Sequence, residues 1–141
     1  MILQGDIGRL ELDFLTRKEY GTNNFWEENW LYTLVKATFP GFIVRFHCNV
    51  RTDDLQRWHD DLAKFIDNEL SSITLTSLEE CISLIFIKNG IEDTKVAGVI
   101  TDTELTGCSV KFTLHCDMSI IVNFRVELHN ILMQFPIIGT P

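Results

Sequence analysis

The stretch FIVRFHCNVR at residues 42–51, followed at once by TDDLQRWHDDLAKFIDNEL at 52–70, decides the fold class, because the hydrophobic period changes inside it. Phe42, Val44, Phe46, Cys48 and Val50 alternate strictly with Ile43, Arg45, His47, Asn49 and Arg51, the pattern of a strand with one buried face. Thr52 and Asp53 then offer oxygens suited to a helix N-cap. Beyond them Leu55, Trp58, Leu62, Phe65 and Ile66 fall on one helical face, and Arg57, Asp60, Asp61, Lys64 and Asp67 on the other. An amphipathic helix from about Asp53 to about Leu70 is expected.

Working outward from this junction, Pro40-Gly41 separates the strand at Phe42 from an apolar, β-rich segment at Asn29 to Phe39, so the two should form an antiparallel hairpin. Further upstream, Leu10, Leu12 and Phe14 alternate with Arg9, Glu11 and Asp13, which reads as a half-buried strand over Gly8 to Phe14. Gly21 to Asn24 are turn formers. Downstream of the helix, Ile73 and Leu75, then Cys81 to Lys88, Lys95 to Thr101 and Ser109 to Cys116 read as four more strands. Their short connections favour antiparallel pairing over parallel crossovers.

The C-terminal segment carries two patterns. Ile121, Phe124, Leu128, Ile131, Leu132 and Phe135 form a helical stripe behind a suitable N-cap at Asp117, while Ile120, Val122, Phe124, Val126 and Leu128 also alternate. The stripe outlasts a usual strand, so a helix ending before Pro136 is expected. The resulting expectation is an α+β fold: a curved antiparallel sheet of about seven strands, packed against one amphipathic helix and a C-terminal helix. At 141 residues, with no linker or repeat, residues 1–141 should form a single domain.

Hydrophobic residues make up 45% and charged residues 23%, an ordinary globular composition. Lys and Arg total 12 against 20 Asp and Glu, a formal charge of −8. That balance opposes nucleic acid and anionic membrane and suits a basic protein partner. Cys48, Cys81, Cys108 and Cys116 lie in apolar stretches without C-x-x-C spacing. The N-terminus lacks the basic and apolar runs of a signal peptide, so a reducing cytoplasm is the expected compartment.

Candidate chemistry is sparse. His47 and His115 should face outward on their strands and Cys48 and Cys116 inward, so neighbouring His and Cys cannot chelate together, and no metal or other cofactor is expected. No nucleophile elbow, H-E-x-x-H or phosphate-binding glycine loop is present, which argues against an enzyme. The acidic pairs Glu27-Glu28, Asp53-Asp54, Asp60-Asp61 and Glu79-Glu80 sit in polar surroundings and read as solvated charge. More informative is FWEENWL at residues 25–31, where Trp26 and Trp30 flank two carboxylates. Either both indoles cap one end of the core, with Trp30 facing inward, or Trp26 is an exposed aromatic anchor for a partner.

These residues carry a resemblance. The Trp-x-x-Asn-Trp-Leu step at Trp26 to Leu31, the helix opened by Thr52, Asp53, Asp54 and Leu55, the run from Leu75 to Glu80 leading into Ile82, and the closing Phe135-Pro136-Ile137-Ile138-Gly139 resemble the WapI-type immunity proteins, antidotes of bacterial polymorphic toxins. The resemblance covers nearly the whole chain. It implies a non-catalytic protein that binds and neutralises a cognate toxin domain, and it brings no catalytic residues. Glu28 stands where members commonly carry Gly, which implies a different turn or a backbone without positive φ. The candidate partner-binding residues are Trp26, Glu27, Glu28, Asp60, Asp61, Glu79 and Glu80. The alternative reading is a small-molecule or lipid-binding module with a pocket between sheet and helix.

Overall fold

In a computed structural model describing residues 1–141, the chain is α+β, with two four-stranded antiparallel sheets and three helices. The first sheet runs β1 (Ile2–Gln4), β2 (Arg9–Arg17), β3 (Trp30–Phe39), β4 (Phe42–Arg51), in sequence order. A short helix, α1 (Phe25–Glu28), interrupts the connection between β2 and β3. After α2 (Thr52–Ile66), the second sheet runs β5 (Ser72–Thr76), β6 (Ile82–Lys88), β7 (Asp93–Thr101), β8 (Ser109–Asp117). The chain then enters α3 (Met118–Gln134).

The class and the antiparallel pairing follow the hydrophobic periods; the sheet count does not. Eight strands in two sheets replace one sheet of about seven. Strand β1 has three residues, too few to show a period. The fifteen-residue α2 stands between β4 and β5, and the ladder stops at each of those strands instead of running through. Periodicity reports which face of a strand is buried, and it is silent on which edges meet.

The hairpin forms as its sequence demands. Phe39 pairs with Phe42 across Pro40-Gly41, and Gly41 takes φ 84°, which a side chain would resist. Phe46, Cys48 and Val50 point inward from β4, joining Leu10 and Leu12 of β2 with Leu84, Phe86, Val96 and Leu114 of the second sheet. Leu55, Trp58, Leu62 and Phe65 of α2 and Ile121, Phe124 and Leu128 of α3 complete one cluster of 28 buried residues. Gly98 lies opposite Phe112, and a Cβ there would collide with the Phe112 ring. Its absence lets that ring lie over β7 and reach Phe39, with ring centroids 5.1 Å apart.

Helix α2 ends at Ile66, short of the expected Leu70, because Asn68 turns into the left-handed region at φ 63°. At its start neither Thr52 nor Asp53 acts as the N-cap side chain; both are engaged elsewhere, as described below. The C-terminal ambiguity resolves as a helix, with Asp117 in the N-cap position but without a capping side-chain bond. No helix is long and apolar enough to cross a membrane.

Candidate functional site

Arg51 closes β4, and alternation with Val50 places its side chain on the outer face of the sheet. It is nevertheless only 1% exposed. Helix α1 folds over it, so that the guanidinium lies 5.1 Å from the Phe25 ring centroid, 5.2 Å from that of Trp26 and 5.1 Å from that of Trp30. Its five N–H donors form a planar fork, which is what this site uses. Arg51 donates to the Trp26 carbonyl at 2.8 Å, the Phe25 carbonyl at 3.1 Å and the Asp53 carboxylate at 2.8 Å. Trp30 Nε1 also donates to the Trp26 carbonyl, at 3.0 Å. The Trp26 backbone is thus clamped from two sides while its indole stays 58% exposed.

Asn29 anchors the far side of α1. Its Oδ1 accepts from Thr52 Oγ1 at 2.9 Å, Arg17 at 3.1 Å and the Ile138 N–H at 2.9 Å. Its Nδ2 donates to the carbonyls of Phe25 at 2.9 Å and Ile138 at 2.8 Å. Asn29 is fully buried and every one of its polar positions is used, as an interior amide requires. Arg17 also donates to the carbonyls of Glu28 and Pro136. The closing stretch around Ile138 is therefore a strap across α1, which is why α1 holds its shape with only four residues.

Glu28 is buried at 4% exposure, so the expectation of a solvated, partner-facing carboxylate is corrected. It is helical, without the positive φ that a Gly would serve. Its carboxylate accepts from the N–H of Thr22 at 2.8 Å and of Tyr20 at 3.1 Å, and from Thr22 Oγ1 at 3.2 Å, drawing the Tyr20–Thr22 loop against α1. These bonds, the Thr22 N–H first among them, hold the carboxyl below the ordinary glutamate value of 4.5. A folded value below the unfolded one means that the contribution is present above about pH 4.5 and lost as pH falls through the folded value. Glu28→Gln is therefore expected to lower the melting temperature most near neutrality, with the gap to the parent narrowing below that pH. Thermal melts of both proteins between pH 7 and pH 3 check this; a gap independent of pH would contradict it.

Across the first turn of α2 from α1 lies a second exposed element. The Leu78 N–H donates to the Asp54 carboxylate at 2.8 Å, and Asp54 also pairs with Arg57 at 3.0 Å. This docks the turn between β5 and β6 on the start of α2, with Leu78 61% exposed and Glu79 and Glu80 open to solvent. A shallow notch of about 320 Å³, lined by Lys18, Tyr20, Trp30, Asn49 and Glu79, joins this turn to the aromatic box. Glu104, from the loop after β7, reaches Asn49 beside it.

The candidate residues are thus divided. Trp26 and Glu27 on α1, and Glu79 and Glu80 on the turn, flank the same end of α2 and are exposed. Asp60 and Asp61 lie eight and nine residues along α2 from Thr52, about 12 Å up its axis at 1.5 Å per residue. There Asp60 accepts from Gln56 at 3.1 Å. Trp30 does not enter the core, because Leu31 takes the inward position and leaves Trp30 outside, stacked on Arg51. Sequence reasoning missed Arg51 and Asn29. The available signal was an arginine set between strand and helix, two residues ahead of a carboxylate.

The histidines and cysteines take their expected faces, with Cys48 and Cys116 buried. His47 stacks on Tyr32 at 4.8 Å in the first sheet, and His115 bonds Asp93 at 3.0 Å in the second, so the two do not meet.

No curated protein matches the chain. The model of the immunity protein WapI-like family matches residues 1–136. An acidic chain that carries an exposed tryptophan on a braced four-residue helix, and whose family model spans all but the last five positions, belongs to the WapI-like immunity protein family.

Proposed function

We propose that this protein is a non-catalytic antidote, which binds a cognate toxin domain through the aromatic and acidic face around the start of α2 and blocks the toxin's active cleft by occupying it. One observation carries the reading beyond family membership: Trp26 is 58% exposed, yet its backbone is fixed by Arg51 and Trp30. An aromatic side chain held in place before binding loses little freedom on docking, which is the property of a binding anchor.

Glu27 beside that anchor, and Glu79 and Glu80 on the turn docked at the same end of α2, carry negative charge, and Tyr20 and Leu78 add exposed apolar surface, both above 50%. A basic toxin surface is the complement that such a face steers towards itself. Asp60 and Asp61 extend the acidic surface along α2 and act on approach more than in the contact. The cytoplasm of the producing cell is the compartment in which such an antidote works.

The test is co-expression with the toxic C-terminal domain encoded beside this chain. Survival of the cells and recovery of a one-to-one complex are expected. Cell death with no complex, from a toxin that a different neighbouring protein does neutralise, rules the reading out.

A further inference from the structure

Four thiols are free, and only two of them meet. Cys48, inward on β4 of the first sheet, and Cys81, immediately ahead of β6 of the second, place their sulfurs 2.8 Å apart, and neither residue has exposed surface. Cys116 is buried without a thiol neighbour, and burial pushes it up to about 12, so it stays protonated and inert. Cys108 is exposed and alone. We infer that Cys48 and Cys81 form an intramolecular disulfide when the protein meets a small-molecule disulfide oxidant, and that this bond fastens the first sheet to the turn carrying Glu79 and Glu80.

The surroundings favour that pair. A disulfide bond is about 2.04 Å long, so closing it moves the sulfurs by less than about 1 Å. Ser77 Oγ lies 3.4 Å from the Cys81 sulfur, placed to donate to it as a thiolate. Cys81, next to the exposed turn and the Ser77 hydroxyl, is therefore the attacking sulfur and Cys48 the resolving one. Access comes through the turn from Leu78 to Glu80, whose three residues are exposed and whose Glu80 sits at φ 60°, a conformation unfavourable to a side chain.

The exchange balances in two steps. The Cys81 thiolate attacks one sulfur of the oxidant RSSR, forming a mixed disulfide and releasing RS⁻, which takes up a proton as RSH. Cys48 loses its proton and attacks the Cys81 sulfur, releasing the second RS⁻, which takes that proton. Two protein thiols are oxidised to one disulfide, and RSSR is reduced to two RSH. The bond closes a loop spanning 33 positions of sequence, which restricts the unfolded chain. The inference is independent of the docking reading above, since no toxin enters it.

Peptide mapping tests it directly, because trypsin places each cysteine in a separate fragment: residues 46–51, 65–88, 96–111 and 112–125. The full-length protein is equilibrated with oxidised glutathione, both in the native state and by refolding from denaturant in the same buffer, and free thiols are then alkylated. The expected product has lost two hydrogens, carries fragment 46–51 linked to 65–88, and melts on the order of 10 °C higher. Cys108→Ser, at an exposed position, should leave the link intact. Bond formation only on refolding still supports the pairing and assigns the barrier to burial. Alkylation of both Cys48 and Cys81 under both conditions, or a link from either one to Cys108 or Cys116, overturns it.

Discussion

Arg51→Ala is expected to lower the melting temperature by about 10 °C, a loss of about 3 kcal/mol in a domain of this size. The side chain is 1% exposed and serves two backbone carbonyls of α1, one carboxylate and three aromatic rings. Removing it leaves the Phe25 carbonyl without its charged donor, opens a void under the rings, and frees Asp53 of its partner. Unmade bonds to a charged donor and a cavity both count against the variant. Arg51→Lys is not conservative at this site. One ammonium cannot reach both carbonyls and Asp53 along the directions that the planar fork supplies, so it should recover less than half of the loss. Near-ultraviolet circular dichroism gives a second measurement, since Trp26 and Trp30 both lose their common cation. A melting temperature within about 2 °C of the parent would mean that the Asn29 strap alone maintains α1.

How much of this was legible in the sequence depends on how local the cause is. The inner half of β4 was readable, since Phe46, Cys48 and Val50 alternate with polar neighbours and a buried face needs that alternation, whereas Phe42, assigned to the same face, is 65% exposed at the hairpin end. The same rule sent Arg51 to the solvent face and failed, because α1 covers that end of the sheet and four residues show no period. Glu28 misled for a related reason. Its sequence neighbours are polar, but it is buried by Thr22 and Tyr20, which fold back from six and eight positions upstream with three donors. Periodicity also carries no information on edge partners, which is why two sheets read as one. Within the candidate site the exposed charges Glu27, Glu79 and Glu80 were visible as acidic pairs. That they share one end of α2 was not, because the Asp54 to Leu78 bond joining them spans 24 positions.

Trp26→Ala should weaken binding of the cognate toxin domain by about 2 kcal/mol, roughly 30-fold, while changing the melting temperature little. The two effects separate because the indole is more than half exposed, whereas the contacts that brace α1 run through its backbone carbonyl, which alanine keeps. Arg51 loses one of three rings and none of its hydrogen bonds. Charge should act on a different quantity. Glu27→Lys combined with Glu79→Lys reverses two exposed charges beside the anchor, and is expected to slow association about tenfold at low salt and to flatten its ionic-strength dependence. Asp60→Asn with Asp61→Asn, about 12 Å along α2, should alter the association rate less and leave the dissociation rate unchanged. Binding kinetics with an inactivated toxin domain at two salt concentrations distinguish these variants. If the Trp26 and the Glu27/Glu79 variants both bind as the parent does, the docking face lies elsewhere on the molecule. If only the Asp60/Asp61 variant is impaired, the contact runs along the flank of α2 and the braced indole is a structural cap.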